Sequence, residues 1–336
     1  MSRSVNSVLA ALVSIIFALS LALFVIPRSS GTAEAANPSV LFQSGTKKII
    51  GKYTISKDCV LPAGATLNIK SGGRLYINPG VKFTVNGTLN VTSGCSVIIN
   101  GQLIISQNSK LTNSGKIYVQ KSGTLSLGGK LTVNTSGKIQ GLGTLEVLNN
   151  FSDINCKGTV TAKIKAPEPV TKNGVTTIGG VIIVNRQFSL PESYGSGLDS
   201  ATYNAYLAMK NASGYNMTIL SGYRSYQKQK STFEYWASID GWEKADTYSA
   251  QPGHSEHQTG LAIDITSLSQ SFGETAQGKW IAEHCWEYGF VLRYPKGGED
   301  ITGYIYEPWH VRYLGKSTAK LVHDSGLTLE EFLGIA

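Results

Sequence analysis

Three residues in the C-terminal third of the chain have the types and spacing of a zinc site. His257 and Asp264 lie close together in the sequence, and His310 follows further along. A catalytic zinc needs three protein ligands drawn from His, Asp or Glu, and a fourth position left open for water. On spacing alone each residue could equally be an ordinary hydrogen-bonding group, because a single His or Asp usually is one. The three residues predict a zinc hydrolase centre only in combination with the residues and motifs around them in the sequence.

Glu307 is the candidate for the group that moves a proton at such a centre. A hydrolytic zinc site requires a carboxylate that is not a ligand and that can take a proton from the attacking water and pass it to the leaving amine. A regular strand would place positions 307 and 310 on opposite faces, but Pro308 between them removes a ladder donor and favours a local bend. We therefore expect Glu307 and His310 to reach the same site.

The elements that position these residues are predicted to be short and mixed. Gly260 indicates a turn that returns the chain to the metal, and the apolar run Leu261–Ile265 indicates a buried strand that carries Asp264. Tyr304–Tyr306 is predicted to be another strand. Together with the helices that the sequence predicts over 201–210, 226–238 and 277–288, this indicates a small α+β domain.

The motifs around the candidate residues indicate a family. They are Ser255-Glu256-His257-Gln258-Thr259-Gly260-Leu261-Ala262-Ile263-Asp264, Glu307-Pro308-Trp309-His310 and Ser221-Gly222-Tyr223-Arg224-Ser225. They resemble the metallo D-alanyl-D-alanine carboxypeptidases of the VanY type, and the resemblance covers about residues 180 to 336. It implies an α+β zinc peptidase that binds one zinc ion through His257, Asp264 and His310, with Glu307 as general base and then general acid.

The resemblance also implies residues that contact the substrate. Arg224 matches the family's substrate arginine, so its guanidinium would hold the scissile carbonyl oxygen or the terminal carboxylate and stabilise the developing oxyanion. Ser255 and Gln229 are expected to make further contacts to the peptide. The ordinary alternatives are a surface salt bridge for Arg224 and a turn-forming role for Ser255. Arg293 is a second cation that could grip the free carboxylate.

The N-terminus predicts export from the cytoplasm of a bacterium. Arg3 precedes an uncharged stretch from Val8 to Ile26, and Ala33-Glu34-Ala35 offers a small-residue cleavage site, as in a secretory signal peptide. The stretch is also long enough to span a bilayer, so an uncleaved membrane anchor is the alternative to a cleaved signal peptide. In both cases the rest of the protein is expected outside the cytoplasm, either secreted or associated with the cell wall or the membrane.

A repeat of fourteen residues lies between the N-terminal signal region and the predicted enzyme domain. It is marked by glycines that recur at positions 73, 87, 101, 115, 129 and 143. Aliphatic residues follow each glycine at two and four positions, for example Leu75 and Ile77 after Gly73. A fixed period with two short alternating strands is typical of a β-solenoid, whose turns stack and bury their inward residues as ladders. We therefore predict an all-β parallel solenoid with glycines at its corners.

The positive charge of the protein is concentrated on this repeat region. Residues 37 to 166 contain 15 Lys and Arg against 3 Asp and Glu, a net charge of +12, whereas residues 167 to 336 have a net charge of −5. A basic rod outside a cell could hold the enzyme on anionic wall polymers such as teichoic acids. It could equally be a soluble spacer whose lysines prevent aggregation. The extracytoplasmic location argues against nucleic acid as a partner, and a membrane is expected only if the N-terminal segment is uncleaved.

The predicted organisation is a signal peptide or anchor over 1–36, a solenoid over 37–165, a proline-stiffened linker over 166–179 and a zinc D,D-carboxypeptidase-like domain over 180–336. The predicted function is removal of the terminal D-alanine from peptidoglycan stem peptides. L,D-carboxypeptidase or endopeptidase activity is an alternative within the same metal chemistry. A structural envelope protein that binds wall peptide without cutting it is an alternative of another class.

Overall fold

The N-terminal half of the molecule is a rod with three sides. The computed structural model describes residues 44–336, and from Thr46 to Lys165 the chain winds through three six-stranded sheets in which all paired strands are parallel. The strands are β1 (Thr46–Ile49), β2 (Lys52–Ile55), β3 (Cys59–Leu61), β4 (Thr66–Ile69), β5 (Arg74–Ile77), β6 (Lys82–Val85), β7 (Thr88–Val91), β8 (Ser96–Ile99), β9 (Gln102–Ile105), β10 (Lys110–Asn113), β11 (Lys116–Val119), β12 (Thr124–Leu127), β13 (Lys130–Val133), β14 (Lys138–Gln140), β15 (Thr144–Val147), β16 (Ile154–Cys156), β17 (Thr159–Val160) and β18 (Lys163–Lys165).

Alternation along each strand builds the core of the rod. In β5 the side chains of Leu75 and Ile77 are fully buried, while Arg74 and Tyr76 face outward. The register stacks like on like, so that Leu67 pairs with Leu89 and Leu89 with Leu111. These ladders confirm the predicted β-solenoid and bury its apolar side chains in one continuous cluster.

One turn of the solenoid takes three strands, whereas one sequence repeat contains two. The three sheets take strands β1-β4-β7, β2-β5-β8 and β3-β6-β9 in order, so every third strand stacks on the one before. Most stacked positions are 20 or 22 residues apart, as in the hydrogen bonds of Asn90 with Asn68 and of Asn134 with Ser114. Towards the two ends of the rod the spacing ranges from 19 to 24 residues. The length of the sequence repeat, fourteen residues, therefore differs from the number of residues in one turn of the solenoid. Six stacked strands give a rod of about 24 Å.

The repeat glycines are required by close approach of the backbone. A Cβ at Gly87 would clash with the carbonyl oxygen of Ala65 on the preceding turn, and one at Gly115 with that of Cys95. Their φ angles are not positive; the left-handed positions of the corners lie elsewhere, for example at Gly94 (φ 77°) and Asn108 (φ 66°). Steric exclusion, rather than backbone freedom, therefore accounts for the glycine period.

A small antiparallel sheet follows the last solenoid strand. It consists of β19 (Val170–Lys172), β20 (Val175–Ile178) and β21 (Val181–Ile182). Asn173 (φ 52°) and Gly174 (φ 75°) form the tight turn between the first two strands, where two residues with positive φ are favoured. Two of these strands lie in the segment 166–179, for which the sequence analysis predicts a linker.

The C-terminal domain packs helices around one antiparallel sheet. Its strands are β22 (Ile219–Ser221), β23 (Ala262–Ile265), β24 (Phe290–Leu292) and β25 (His310–Tyr313), in the spatial order β22-β23-β25-β24. Its helices are α1 (Ser200–Ser213), α2 (Tyr226–Asp240), α3 (Trp242–Ala245), α4 (Ala276–His284), α5 (Glu299–Thr302), α6 (Lys316–Ser325) and α7 (Leu329–Leu333). The α+β prediction is confirmed. The strand predicted over Tyr304–Tyr306 is wrong, because Gly303 (φ 77°) ends α5 and the chain continues as a loop.

The solenoid and the C-terminal domain share one apolar core. Helix α6 packs on β16 and β17, and the ring of Phe332 in α7 lies 5.2 Å from that of Phe151, just before β16. The backbone N–H of Cys156 donates to Ser317 Oγ at 3.1 Å. The two C-terminal helices therefore cover the open end of the rod, which would otherwise expose unpaired strand edges.

The predicted signal peptide or anchor lies outside the described residues. Within residues 44–336, none of the helices is both long enough and apolar enough to span a bilayer.

Candidate active site

Two neighbouring strands and one short turn bring the three candidate ligands together. Asp264 in β23 stands directly opposite His310, the first residue of β25. His257 lies in the 3₁₀ turn Glu256–Thr259, which ends at Gly260 in the left-handed conformation (φ 71°) and leads straight into β23. Because Asp264 and His310 are paired across the sheet, the remaining ligand needs only this turn to reach them.

The ligand atoms form a compact, buried cluster. One donor atom from each of His257, Asp264 and His310 lies within 4.8 Å of the others. His257 Nε2 is 3.2 Å from Asp264 Oδ2, and His310 Nδ1 is 3.1 Å from Asp264 Oδ1. All three residues are at most 5% exposed. Two nitrogens and a carboxylate oxygen in this arrangement are a donor set that suits zinc.

The hydrogen bonds around the cluster fit a metal ion. His257 Nδ1 lies 2.7 Å from the carbonyl oxygen of Gly222, so it carries the hydrogen and leaves the lone pair of Nε2 on the side of the cluster. Asp264 Oδ1 is buried and accepts no hydrogen bond, although His310 Nδ1 lies 3.1 Å away. A buried carboxylate oxygen in that condition is costly unless a cation completes its coordination. Burial would raise the pKa of Asp264, but His257 and His310 outweigh it and hold that pKa far below its usual range.

A buried carboxylate also stands behind His310. Glu256 Oε2 lies 3.5 Å from His310 Nε2, the ring nitrogen on the side away from Asp264. Arg293 and Arg312 bond the other oxygen of Glu256 at 2.8 and 2.7 Å. Arg293 in turn bonds Glu330 in α7. Burial opposes ionisation of Glu256, yet the two arginines outweigh it and keep its pKa well below the usual range.

The role of Glu256 behind His310, and its pairing with Arg293 and Arg312, could not be predicted from the sequence. Glu256 lies next to His257 in the motif, but its partners Arg293 and Arg312, and the Glu330 that bonds Arg293, lie far along the chain. A signal was available, since a carboxylate next to a candidate histidine ligand often belongs to the layer of residues that orients the ligands. The structure also changes the interpretation of Arg293. Its side chain is fully buried between two carboxylates, so it is not available to a substrate.

Glu307 reaches the cluster through a tight turn. The N–H of His310 donates to the carbonyl oxygen of Glu307 at 3.2 Å, which closes the turn Glu307-Pro308-Trp309-His310. This turn brings Glu307 Oε2 to 3.6 Å from His310 Nδ1. Burial raises the pKa of Glu307 to about 8, and His310 opposes this shift. A buried carboxyl group beside a candidate metal centre is suited to accept and return a proton.

Arg224 lies beside the cluster with its charged end partly accessible. It follows β22, its backbone N–H donates to the carbonyl oxygen of His257 at 3.2 Å, and its Nη2 donates to Ser221 Oγ at 3.2 Å. The same Nη2 is 3.9 Å from Asp264 Oδ2. The side chain is 18% exposed and lines the cavity, so most of its donors remain free for an anionic group.

Ser255 and Gln229 also line this cavity, on the side of α2. Gln229 is fully buried; its Nε2 donates to the carbonyl oxygen of Ala250, and its Oε1 has no partner. Ser255 is 4% exposed, and its hydroxyl does not cap the 3₁₀ turn that follows. Ser249 Oγ is a further buried atom without a partner at the same cavity. These groups could bond a peptide that enters.

One cavity of about 380 Å³ is lined by the three candidate ligands and by the four other candidate site residues, Glu307, Arg224, Ser255 and Gln229. Aromatic side chains form part of its wall, namely Trp236, Tyr248, Tyr294, Tyr304 and Trp309. His254, a further histidine close to His257 in the sequence, does not line this cavity, and its Nδ1 lies 2.7 Å from the carbonyl oxygen of Asn185. An amphipathic cavity with a few convergent polar groups is typical of a site for a small ligand or a chain end.

Comparison with known proteins gives one family for this domain. Residues 196–316 match the family model described as VanY, D-alanyl-D-alanine carboxypeptidase. YodJ of Bacillus subtilis (strain 168), whose name places it among the carboxypeptidases, is 53% identical over 125 residues, which are 35% of this chain and 46% of YodJ. The chain thus spans about half the length of that curated relative.

Two solved structures are also similar in sequence. The LD-carboxypeptidase LdcB is 38% identical, with 50% of this chain and 94% of that chain covered and a TM-score of 0.46. A variant of the vancomycin-resistance D,D-pentapeptidase VanY, in complex with Zn(II), is 34% identical, with 45% and 97% covered and a TM-score of 0.40.

Proposed function

Since residues 196–316 form a VanY-type D-alanyl-D-alanine carboxypeptidase domain, we propose that this protein is a zinc-dependent carboxypeptidase that removes the terminal D-alanine from peptidoglycan stem peptides. The observation that carries the proposal is the buried cluster of His257, Asp264 and His310, with Glu307 and Arg224 facing the same cavity. A binding protein has no need for a buried proton acceptor such as Glu307 beside the candidate metal ligands.

The residues of the cluster would hold one zinc ion through His257 Nε2, His310 Nδ1 and the carboxylate of Asp264. When bound, zinc supplies a Lewis acid that polarises the scissile carbonyl and makes water a better nucleophile at neutral pH. Glu256 would orient His310 from behind, and Gly222 would orient His257 through its carbonyl oxygen.

Glu307 and Arg224 would carry out the proton transfer and the positioning. A carboxylate oxygen of Glu307 accepts a proton as a water oxygen attacks the carbonyl carbon of the penultimate residue. The same oxygen then gives the proton to the amide nitrogen of the terminal D-alanine as the C–N bond breaks. The guanidinium of Arg224 holds the terminal carboxylate or the carbonyl oxygen on which negative charge develops. Ser255 and Gln229 would bond the peptide further from the cleaved bond.

L,D cleavage of a tetrapeptide is the second candidate. Both reactions release a terminal D-alanine, and both require a cation for its carboxylate. In the cavity Arg224 could fill this role for either substrate, because its Nη2 lies at the cluster and its side chain is partly exposed. The preference for D,D cleavage rests on the family description of residues 196–316.

The proposed place of action is the cell wall, outside the cytoplasm. The N-terminal stretch supports this with the composition of an export signal. The net charge of +12 on residues 37–166 supports attraction to anionic wall polymers, so that the solenoid would deliver the enzyme to its substrate.

Mass spectrometry of muropeptides tests the specificity of the proposed reaction. The purified full-length chain is incubated with muropeptides that end in a pentapeptide or in a tetrapeptide. Loss of one alanine from the pentapeptide alone is the expected result. Loss from the tetrapeptide alone would reassign the enzyme to L,D cleavage, and the absence of any cleavage with zinc bound would overturn the carboxypeptidase proposal.

A further inference from the structure

One face of the solenoid has a column of cations beside a column of larger side chains. This face, the basic face, is the outer surface of the sheet of β2, β5, β8, β11, β14 and β17. The register aligns its outward side chains in two columns, which run Lys52-Arg74-Ser96-Lys116-Lys138 and Thr54-Tyr76-Ile98-Tyr118-Gln140. The outward positions of the strands therefore place basic and aromatic groups next to each other.

The short side chain of Ser96 makes a groove across the middle of the basic face. Ser96 and Ile98 form its floor, Arg74 and Tyr76 stand on one side, and Lys116 and Tyr118 on the other. The walls are two strand intervals apart, roughly 10 Å. Ser93 and Ser114 at the neighbouring corner also line the groove. These six wall and floor residues define the tyrosine groove.

The cations of the basic face lack acidic neighbours on the rod. Of the acidic residues in the described part of the solenoid, Glu146 lies in β15 of another sheet and pairs with Lys165 at 2.9 Å, and Asp58 accepts from the backbone N–H of Lys82. Asp153 lies in a 3₁₀ turn at the end next to the C-terminal domain. Lys52 Nζ lies 5.1 Å from the ring of Tyr76. The charge of this face is therefore complementary to an anion from outside the molecule.

We propose that the tyrosine groove binds a phosphate-bearing sugar polymer of the cell wall. Guanidinium and ammonium groups recognise phosphate, and the flat faces of Tyr76 and Tyr118 offer apolar area to sugar rings while their hydroxyl groups stay wet. Cations that recur along the rod at intervals of one or two strands suit a polymer rather than a single ion. The proposal rests on the proposed function for the location of the protein at the wall, and it assigns the wall-binding role to one face.

Sedimentation with purified wall sacculi tests this assignment. The full-length chain is mixed with intact sacculi and with sacculi from which hydrofluoric acid has removed the phosphate-linked polymers. The pair Arg74→Ser and Lys116→Ser removes the cations of the groove. The matched pair Lys110→Ser and Lys130→Ser removes the same charge from exposed first positions of β10 and β13, on another sheet.

The groove pair is expected to raise the apparent Kd for intact sacculi roughly tenfold, and the matched pair less than about twofold. A third pair, Tyr76→Thr and Tyr118→Thr, is expected to weaken binding although it leaves the charge unchanged. Stripped sacculi should bind the unchanged protein as weakly as intact sacculi bind the groove pair. Thermal unfolding of every variant shows whether the rod remains folded.

Several results would overturn the proposal. Equal losses from the groove pair and the matched pair would mean that net charge alone attracts the wall. Full binding to stripped sacculi would exclude the phosphate polymer. Binding of single-stranded DNA that the groove pair abolishes, without binding to walls, would assign the groove to nucleic acid. Hydrolysis of a soluble pentapeptide, measured in parallel, reports on the proposed enzyme separately, since the groove lies on the solenoid and outside the catalytic cavity.

Discussion

Each of the two candidate histidine ligands has a second group behind its ring, in addition to its own strand or turn. Gly222 fixes His257 through a hydrogen bond of 2.7 Å, and Glu256 stands 3.5 Å behind His310. The ligands themselves are recognisable in the sequence because each one lies within a short, continuous motif. The layer behind them is not, because Arg293 and Arg312 reach Glu256 from positions 37 and 56 residues away. Such pairing between distant residues forms only when the folded sheet brings them together.

Replacing Glu307 by Gln tests its role in proton transfer. The amide is nearly isosteric but does not accept a proton, so we expect kcat on a pentapeptide to fall roughly a thousandfold. Zinc content, measured by atomic emission, should stay at one per chain, because Glu307 is not in the proposed ligand set. A variant that retains most of its kcat would contradict the assignment of Glu307 as the base.

Replacing Glu256 by Gln tests whether this residue positions His310. Loss of its charge weakens the hold on the imidazole, so we expect zinc affinity to fall roughly 10- to 100-fold in competition with a chromogenic chelator. The matched variant Glu330→Gln removes a carboxylate that bonds Arg293 but lies outside the contact with His310. Equal losses of zinc affinity in both variants would show a general effect on the buried charges and contradict a specific positioning role for Glu256.

For the secondary-structure elements, the alternation of apolar residues predicts the strands of the solenoid reliably. It does not predict how many strands make up one turn of the solenoid. Ladders such as Leu67, Leu89 and Leu111 follow from the strand period, which the sequence shows directly. The number of strands per turn depends on contacts between residues that are mostly 20 or 22 apart, and the repeat of fourteen residues does not display these contacts. The strand predicted over Tyr304–Tyr306 does not form, because Gly303 (φ 77°) ends α5 and leads into a loop, in which Tyr304 lines the wall of the cavity.

The repeat glycines give a prediction for the stability of the rod. The Cβ introduced by Gly115→Ala would clash with the carbonyl oxygens of Cys95 and Thr92. We expect this change to lower the free energy of unfolding by about 2 kcal/mol. The control Gly94→Asn lies at a corner with φ 77° and open space around its Cβ position, so it should cost about 1 kcal/mol or less. Urea titration of both variants provides the measurement, and a larger loss for Gly94→Asn would contradict the steric explanation.

The whole molecule is held together by the packing of the C-terminal helices on the end of the rod. Helices α6 and α7 belong to the catalytic domain in sequence, yet their apolar residues join the core of the solenoid. The aromatic contact of Phe151 with Phe332 is central to this junction, and both side chains are at most 2% exposed. A rigid connection of this kind would fix the direction in which a wall-bound rod presents the active site.

The shared core predicts that the two parts unfold together. All five tryptophans lie between Trp236 and Trp309, so tryptophan fluorescence reports on the catalytic domain, whereas the β signal in far-ultraviolet circular dichroism comes mainly from the solenoid. We expect coincident transitions in urea. Phe332→Ala should lower the free energy of unfolding by about 3–5 kcal/mol and separate the transitions, while the exposed Leu142→Ala serves as control. Separate transitions in the unchanged protein would contradict a common core.

The central claim is that His257, Asp264 and His310 form the zinc site of a peptidase, and removal and return of zinc tests it most directly. The full-length chain is stripped with a chelator and titrated with zinc, while release of D-alanine from a soluble pentapeptide is followed. We expect no release of D-alanine without metal and full recovery at one zinc per chain, with the recovery lost in His310→Ala. Undiminished release from the stripped protein, or unchanged recovery in His310→Ala, would contradict it.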